Sequence, residues 1–162
     1  MNLPTAMLNL FNSSNPAKHS RDLRKMALFA ELTRREVKIV DSFMHERHYL
    51  GDEVIFDEGD EGQAIYVILA GRVAICHQGR SDQPIAVLES GNFFGELALL
   101  DDAPRSAQAR ADENCTVLVL FRGDFLSLMQ SHALIASKIA LQLARHLGTR
   151  LRRMVRDDQA PS

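Results

Sequence analysis

Ile65-Tyr66-Val67-Ile68-Leu69-Ala70-Gly71-Arg72-Val73-Ala74-Ile75-Cys76, residues 65–76, decides the fold class. Apolar side chains recur at every second position on both sides of Ala70-Gly71: Ile65, Val67 and Leu69, then Val73 and Ile75. A period of two marks a strand, and the glycine between the runs marks a turn. The same grammar extends outward from His48 to Phe121. Val54, Phe56, Ile85, Val87, Val117 and Val119 continue the alternation, and the stretches 51–52, 58–62, 78–82 and 90–92 supply turn residues between the runs. Short strands at near-regular spacing predict a closed or two-sheet all-β body.

Helical periods flank this body. One short helix is expected over Arg21–Phe29, and a second opens at Thr33, where Glu36 three positions on gives the spacing of a capping box. His45 and His48 are expected to close that second helix, with Asp41 and His45 forming a pair on its surface. Beyond Phe121, Asp124 is expected to cap a helix running to Gln130, followed by a long helix from Ala133 to Arg156. In the long helix Ala136, Ala140, Leu143, Leu147, Leu151 and Met154 form a narrow stripe. It suits either a helix–helix seam between two copies of the chain or a cover for the β body. The expected architecture is therefore mainly β with flanking helices: a closed or two-sheet body with N-terminal helices and a long C-terminal helix. It divides into a flexible leader over 1–20, one domain over 21–157 and a tail over 158–162. In the leader, the run Leu8–Phe11 also admits a docking peptide.

Bulk properties exclude several classes. The chain has 162 residues, 46% hydrophobic and 25% charged, enough for one domain with one core. A formal charge of −2 argues against nucleic-acid binding by bulk electrostatics. No apolar stretch approaches the ~20 residues that span a bilayer. Met1–Phe11 lacks a basic n-region and a cleavage site, so the expected location is cytoplasmic. Cys76 and Cys115 fall in apolar runs and read as reduced structural thiols. The six histidines are scattered without metal-ligand spacing, so neither a metal site nor a catalytic set is expected, and the chain reads as non-enzymatic.

The segment 93–107, Phe-Phe-Gly-Glu-Leu-Ala-Leu-Leu-Asp-Asp-Ala-Pro-Arg-Ser-Ala, carries the functional reading. Gly95 permits close approach of the backbone, and Glu96–Leu100 are helix formers whose first N–H groups have no intrahelical acceptor and favour an anion. Arg105 is the one basic residue between Gly91 and Ala109, and its fork suits a phosphate, with the Ser106 hydroxyl beside it. Glu96 beside a phosphate is unfavourable unless it accepts hydrogen bonds from another part of the ligand, and a ribose hydroxyl is a natural donor. On residues alone, an alternative stands: Glu96 as an ordinary first-turn acid, and Arg105 paired on the surface with Asp101 or Asp102.

The same segment resembles the phosphate-binding cassette of the cyclic-nucleotide-binding domain family. The resemblance extends to Phe29–Thr33, Tyr49–Phe56, Glu58–Asp60 and Tyr66–Val73, in the family's order, and covers about Asp22 to Arg156. It implies an antiparallel, double-stranded jelly-roll-like β-roll as the fold, and that Glu96 accepts from the ribose 2′-hydroxyl. The amides of Gly95, Leu97 and Ala98 would face the cyclic phosphate, and Arg105, Ser106 and Ala107 would complete the ligand-binding set. Ser106 after the arginine leans towards cAMP, with cGMP open. The family's last helix covers the base, which makes Thr149 and Arg150 the lid candidates and His146 a weaker one. The chain also resembles the sensor half of catabolite-activator-type transcription factors, including the long last helix through which those dimerise.

Three outputs follow from this resemblance. One is a cyclic-nucleotide sensor acting on an unknown effector protein. The second is the ligand-binding part of a transcription regulator, and the third a structural adaptor with a vestigial pocket. The arginines 145, 150, 152, 153 and 156 are read as favouring the helix's negative end, with nucleic acid as the lesser reading.

Overall fold

The computed structural model describes residues 22–158. Two antiparallel sheets of four strands form the body. The first has the order β1-β8-β3-β6 and the second β2-β7-β4-β5. In chain order the strands are β1 (His45–Tyr49), β2 (Val54–Phe56), β3 (Ala64–Ala70), β4 (Arg72–Cys76), β5 (Ala86–Glu89), β6 (Phe93–Phe94), β7 (Gln108–Ala111) and β8 (Cys115–Phe121). The helices are α1 (Arg34–Ser42), α2 (Arg122–Ser131) and α3 (Ala133–Asp157). This is the expected β-roll with flanking helices.

The first sheet is buried on both faces. On β3, Ile65 and Val67 face the helices, while Ala64 and Ile68 face the second sheet. On β8, Leu118 and Leu120 face the helices, while Val117 and Val119 face the other way. Two-sided burial explains why both strands read as unbroken apolar runs. β5 is an edge strand of the second sheet. Val87, expected among the core alternation, therefore points outward at 46% exposure. Ile85 lies before the strand and is also exposed, and it is Ala86 and Leu88 that are half-buried.

Gly71 joins β3 to β4 at φ +82°. A Cβ there would lie 2.4 Å from the Asn114 carbonyl oxygen and 2.8 Å from Cys115 Cα. Both neighbours are backbone and cannot rotate away. Gly71→Ala is expected to cost about 3 kcal/mol, from an unfavourable φ plus overpacking. The urea midpoint checks it: it should fall at unchanged slope.

Four sequence expectations change. The stretch 22–29 is not one helix but two 3₁₀ turns, Leu23–Lys25 and Ala27–Phe29, because Met26 between them is extended at φ −79°, ψ 132°. The capping box at Thr33 is present, but α1 ends at Ser42 and His45–His48 lie on β1. Pairing with β8 along the whole strand overrides the polar composition of His45-Glu46-Arg47-His48-Tyr49. His45 reaches Asp124 at 3.1 Å rather than forming the expected pair with Asp41. Asp124 accordingly makes no cap: α2 begins at Arg122 with Phe121 as its N-cap residue. The leader 1–20 and all of the 158–162 tail except Asp158 lie outside the described residues.

The N-terminal half of α3 covers the body through Ile135, Ala136, Ile139 and Leu143. Lys138 Nζ donates to both Glu36 oxygens at 2.8 and 2.9 Å, tying α3 to the capped start of α1. Farther along the stripe Leu151 and Met154 are 62% and 63% exposed. Of the stripe, Ala136 and Leu143 are buried, Leu147 is half-buried and Ala140 is exposed, so covering the β body accounts for only part of it. No helix among the described residues is long and apolar enough to cross a membrane. Both cysteines are buried and free.

Candidate functional site

β6 is two residues long, and the chain leaves it through Gly95 at φ +74°. A Cβ at Gly95 would meet Arg105 Nη1 at 2.6 Å, so the glycine is required by the close passage of the guanidinium. The expected helix over 96–100 is a single 3₁₀ turn, Glu96–Leu99. The Ala98 N–H closes that turn on the Gly95 carbonyl at 3.2 Å, so of the three expected phosphate-facing amides it already has an acceptor. After the turn, Asp101 Oδ1 accepts from the Ala103 N–H at 3.1 Å and bends the chain towards Pro104 and Arg105.

Arg105 is held from several sides. Its backbone N–H donates to Asp60 O and its carbonyl accepts from Gly59 N–H, both at 2.8 Å. Its Nη1 donates to Gly95 O at 3.1 Å and its Nη2 to Ala64 O at 2.8 Å. The Phe56 ring lies 4.0 Å below the guanidinium carbon. Only 8% of the residue is exposed, and Nε is buried with no hydrogen-bond partner among the described residues. Burial pushes the Arg105 pKa down, with Tyr66, Asp60 and Glu96 opposing that shift. A cation held on neutral carbonyls, with a spare donor and no carboxylate in contact, suits an anion. The surface pairing of Arg105 with Asp101 or Asp102 does not occur; Asp102 pairs with Arg122 instead.

Glu96 is 4% exposed and its Oε1 accepts from Arg150 Nη1 at 2.5 Å. The carboxylate is therefore not an idle first-turn acid. A cavity of about 470 Å³ opens between the roll and α3, within the size range of small-molecule sites. Gly95–Ala98 and Arg105–Ala107 line one side, and His146, Arg150 and Arg153 the other. Every expected cassette residue is thus brought to one cavity.

The lid candidates separate. Arg150 and His146 line the cavity, whereas Thr149 points away, its hydroxyl donating to Arg145 O at 3.0 Å. The His146 ring packs on Phe93 with centroids 4.5 Å apart, and burial lowers its pKa, with Glu96 opposing. The sequence reading has Arg153 only in the C-terminal basic cluster and not at the site. The spacing of 146, 150 and 153 places the three on one helix face, which is the signal that finds it. Among the described residues no group of His, Cys, Asp and Glu is placed to hold a metal.

Known proteins share much of this chain's sequence and fold. A family model described as the cyclic nucleotide-binding domain matches residues 46–132. The cyclic AMP receptor protein of Thermus thermophilus is 40% identical over 122 residues, which cover 74% of this chain and 56% of that protein. A cAMP-dependent protein kinase regulatory subunit from Neurospora crassa is 37% identical over 92 residues, 57% of this chain and 23% of the subunit. The chain thus spans about half of one relative and about a quarter of the other. Among solved structures, a cyclic nucleotide-binding domain from Methylobacillus flagellatus superposes with a TM-score of 0.74 at 26% identity, over 86% of this chain and 81% of that one.

Proposed function

The chain belongs to the cyclic nucleotide-binding domain family, and from that premise we propose that it is a non-enzymatic sensor of a 3′,5′-cyclic nucleotide, cAMP rather than cGMP. One observation carries the reading: Glu96 and Arg105, opposite in charge and each more than nine-tenths buried, line the same cavity. Arg105 and Ser106 take the cyclic phosphate together with the amides of Gly95 and Leu97, while Ala98, whose amide is bonded to Gly95 O, and Ala107 complete the wall. Glu96 accepts from the ribose 2′-hydroxyl, and α3 covers the base with Arg150 and His146. The relatives' names include both cAMP and cGMP, and it is Ser106 that leans the reading towards cAMP. Occupancy passes to a protein partner through α3, and the ligand shifts that helix only by its differential affinity for the closed state.

Calorimetric titration with cAMP, cGMP and cyclic di-GMP tests the reading. cAMP is expected to bind most tightly, with cGMP weaker by about tenfold, the worth of one hydrogen bond at the base. Absence of heat with all three would remove the sensor reading and leave a structural adaptor.

A second reading is favoured by the 40% identity to a cyclic AMP receptor protein: the chain as the ligand-binding part of a transcription regulator. A duplex-DNA mobility shift that appears only with cAMP, and weakens with salt, would establish it.

A further inference from the structure

Arg105 carries positive charge into the cavity wall without a carboxylate to hold it, so its orientation rests on other contacts. Nη1 and Nη2 donate to the Gly95 and Ala64 carbonyls. Two bonds through the terminal nitrogens fix the line that joins them and leave one freedom, a tilt of the guanidinium plane about that line. That tilt swings Nε, the donor with no partner among the described residues. Nε lies towards Gly62, where an added Cβ would be 3.5 Å from it, and Gly62 lines the cavity.

The contact that opposes the tilt is an aromatic face. The guanidinium carbon lies 4.0 Å from the Phe56 ring centroid and 5.7 Å from that of Tyr66. Phe56 is itself held. Its ring centroid is 5.6 Å from that of Tyr66 and 5.9 Å from that of Phe94, and Tyr66 and Phe94 stack at 5.1 Å with planes 9° apart. These rings come from β2, β3 and β6, so both sheets supply the platform. The register of β2 against β7 shifts between Val54 and Phe56, and an irregularity of that kind re-aims a side chain. A π face attracts a cation most strongly where water is excluded, as around a residue that is 8% exposed. It offsets part of the burial cost that pushes the Arg105 pKa down. Unlike a carboxylate, it adds no net negative charge to repel a phosphate.

We propose that Phe56 is a positioning residue for anion recognition: its ring face, backed by Tyr66 and Phe94, sets the tilt of the Arg105 guanidinium so that Nε meets the ligand phosphate with its charge uncancelled. The inference rests on the cyclic-nucleotide reading above. It gives Phe56 a role that core packing alone does not require, because the electronic character of the ring matters as well as its size.

Calorimetric titration of the full chain with cAMP tests this, with Phe56 replaced by mono-, di- and trifluorinated phenylalanine. Fluorine depletes the negative face of the ring and nearly preserves its shape, so packing stays while the attraction for the guanidinium weakens in steps. Affinity is expected to fall in the same order, by about tenfold at the trifluorinated ring. Packing alone gives a flat series, and a flat series overturns the proposal. Phe56→Leu, which has no π face, is expected to lose at least as much, and the fluorinated series decides the matter if that variant fails to fold. A second readout separates action through Arg105 from direct contact with the ligand. In the ligand-free protein the Arg105 Nε–H resonance, identified by its loss in Arg105→Lys, is expected to exchange faster with water as fluorine is added. Falling affinity with unchanged Nε–H exchange overturns the proposal, since the ring would then act on the ligand itself. Failure of the underlying reading looks different: wild type itself shows no saturable cAMP binding.

Discussion

Arg105→Ala is expected to weaken cAMP binding by about a thousandfold, roughly 4 kcal/mol, the scale for truncating one partner of a buried, hydrogen-bonded charge pair. Two costs add. The phosphate loses the spare donors of the guanidinium, including the unpartnered Nε. The cassette also loses the cross-tie from Nη1 to Gly95 O and from Nη2 to Ala64 O, so the turn that presents the amides is less well placed. Arg105→Lys separates the two, since it keeps a positive charge and loses the fork. It is expected to retain part of the affinity, with a loss of about one to two orders of magnitude. Thermal unfolding supplies a second readout. With cAMP at about a hundred times its Kd, wild type gains about 2.7 kcal/mol by mass action, and Arg105→Ala at the same concentration gains almost nothing. Equal thermal shifts in the two proteins would place the anion elsewhere.

How much of this was legible in the sequence depended on what kind of contact each feature uses. The turns were legible because positive φ selects glycine, as at Gly71 and Gly95. The α1 start was legible because a capping box is a local pattern, and both of its hydrogen bonds form. β1 was not, because His45-Glu46-Arg47-His48-Tyr49 has no apolar alternation and becomes a strand only through its ladder with β8, some seventy residues away. The cap at Asp124 failed for the same reason: its carboxylate is taken by His45 on that strand. Within the site, the cassette residues form one segment and were found together. Arg153 enters only as one of the C-terminal arginines and not as a site residue, since the phase of a long helix against a cavity is not a property of adjacent residues. Arg150 enters as a lid over the base and as one of the C-terminal arginines, not as a partner of Glu96. Its bond to Glu96 joins positions 54 apart and had no local sign.

That bond sets the second large effect. Glu96→Gln keeps the shape of the side chain but removes the charge, weakening both the acceptor for the ribose hydroxyl and the pair with Arg150. cAMP affinity is expected to fall by about a hundredfold, two charged hydrogen bonds being at stake. Arg150→Ala leaves a carboxylate that is 4% exposed with its cation gone, facing an incoming phosphate of the same sign. Its expected loss is about tenfold, smaller because Arg150 itself is 57% exposed at its side chain and solvent screens the pair. If Arg150 acts through Glu96, the double variant should bind no worse than Glu96→Gln alone, since the carboxylate that Arg150 neutralises is already absent. Additive losses would mean instead that Arg150 touches the phosphate or the base independently. A titration series at rising salt discriminates further. The Arg150 contribution should shrink as ionic strength screens an exposed cation, whereas the contribution of the buried Arg105 should persist. A carboxylate bonded to the last helix before ligand arrives also means that the ribose meets a group already committed to α3. The free energy with which the hydroxyl competes for Glu96, or shares it through the second oxygen, is then the energy available to move that helix.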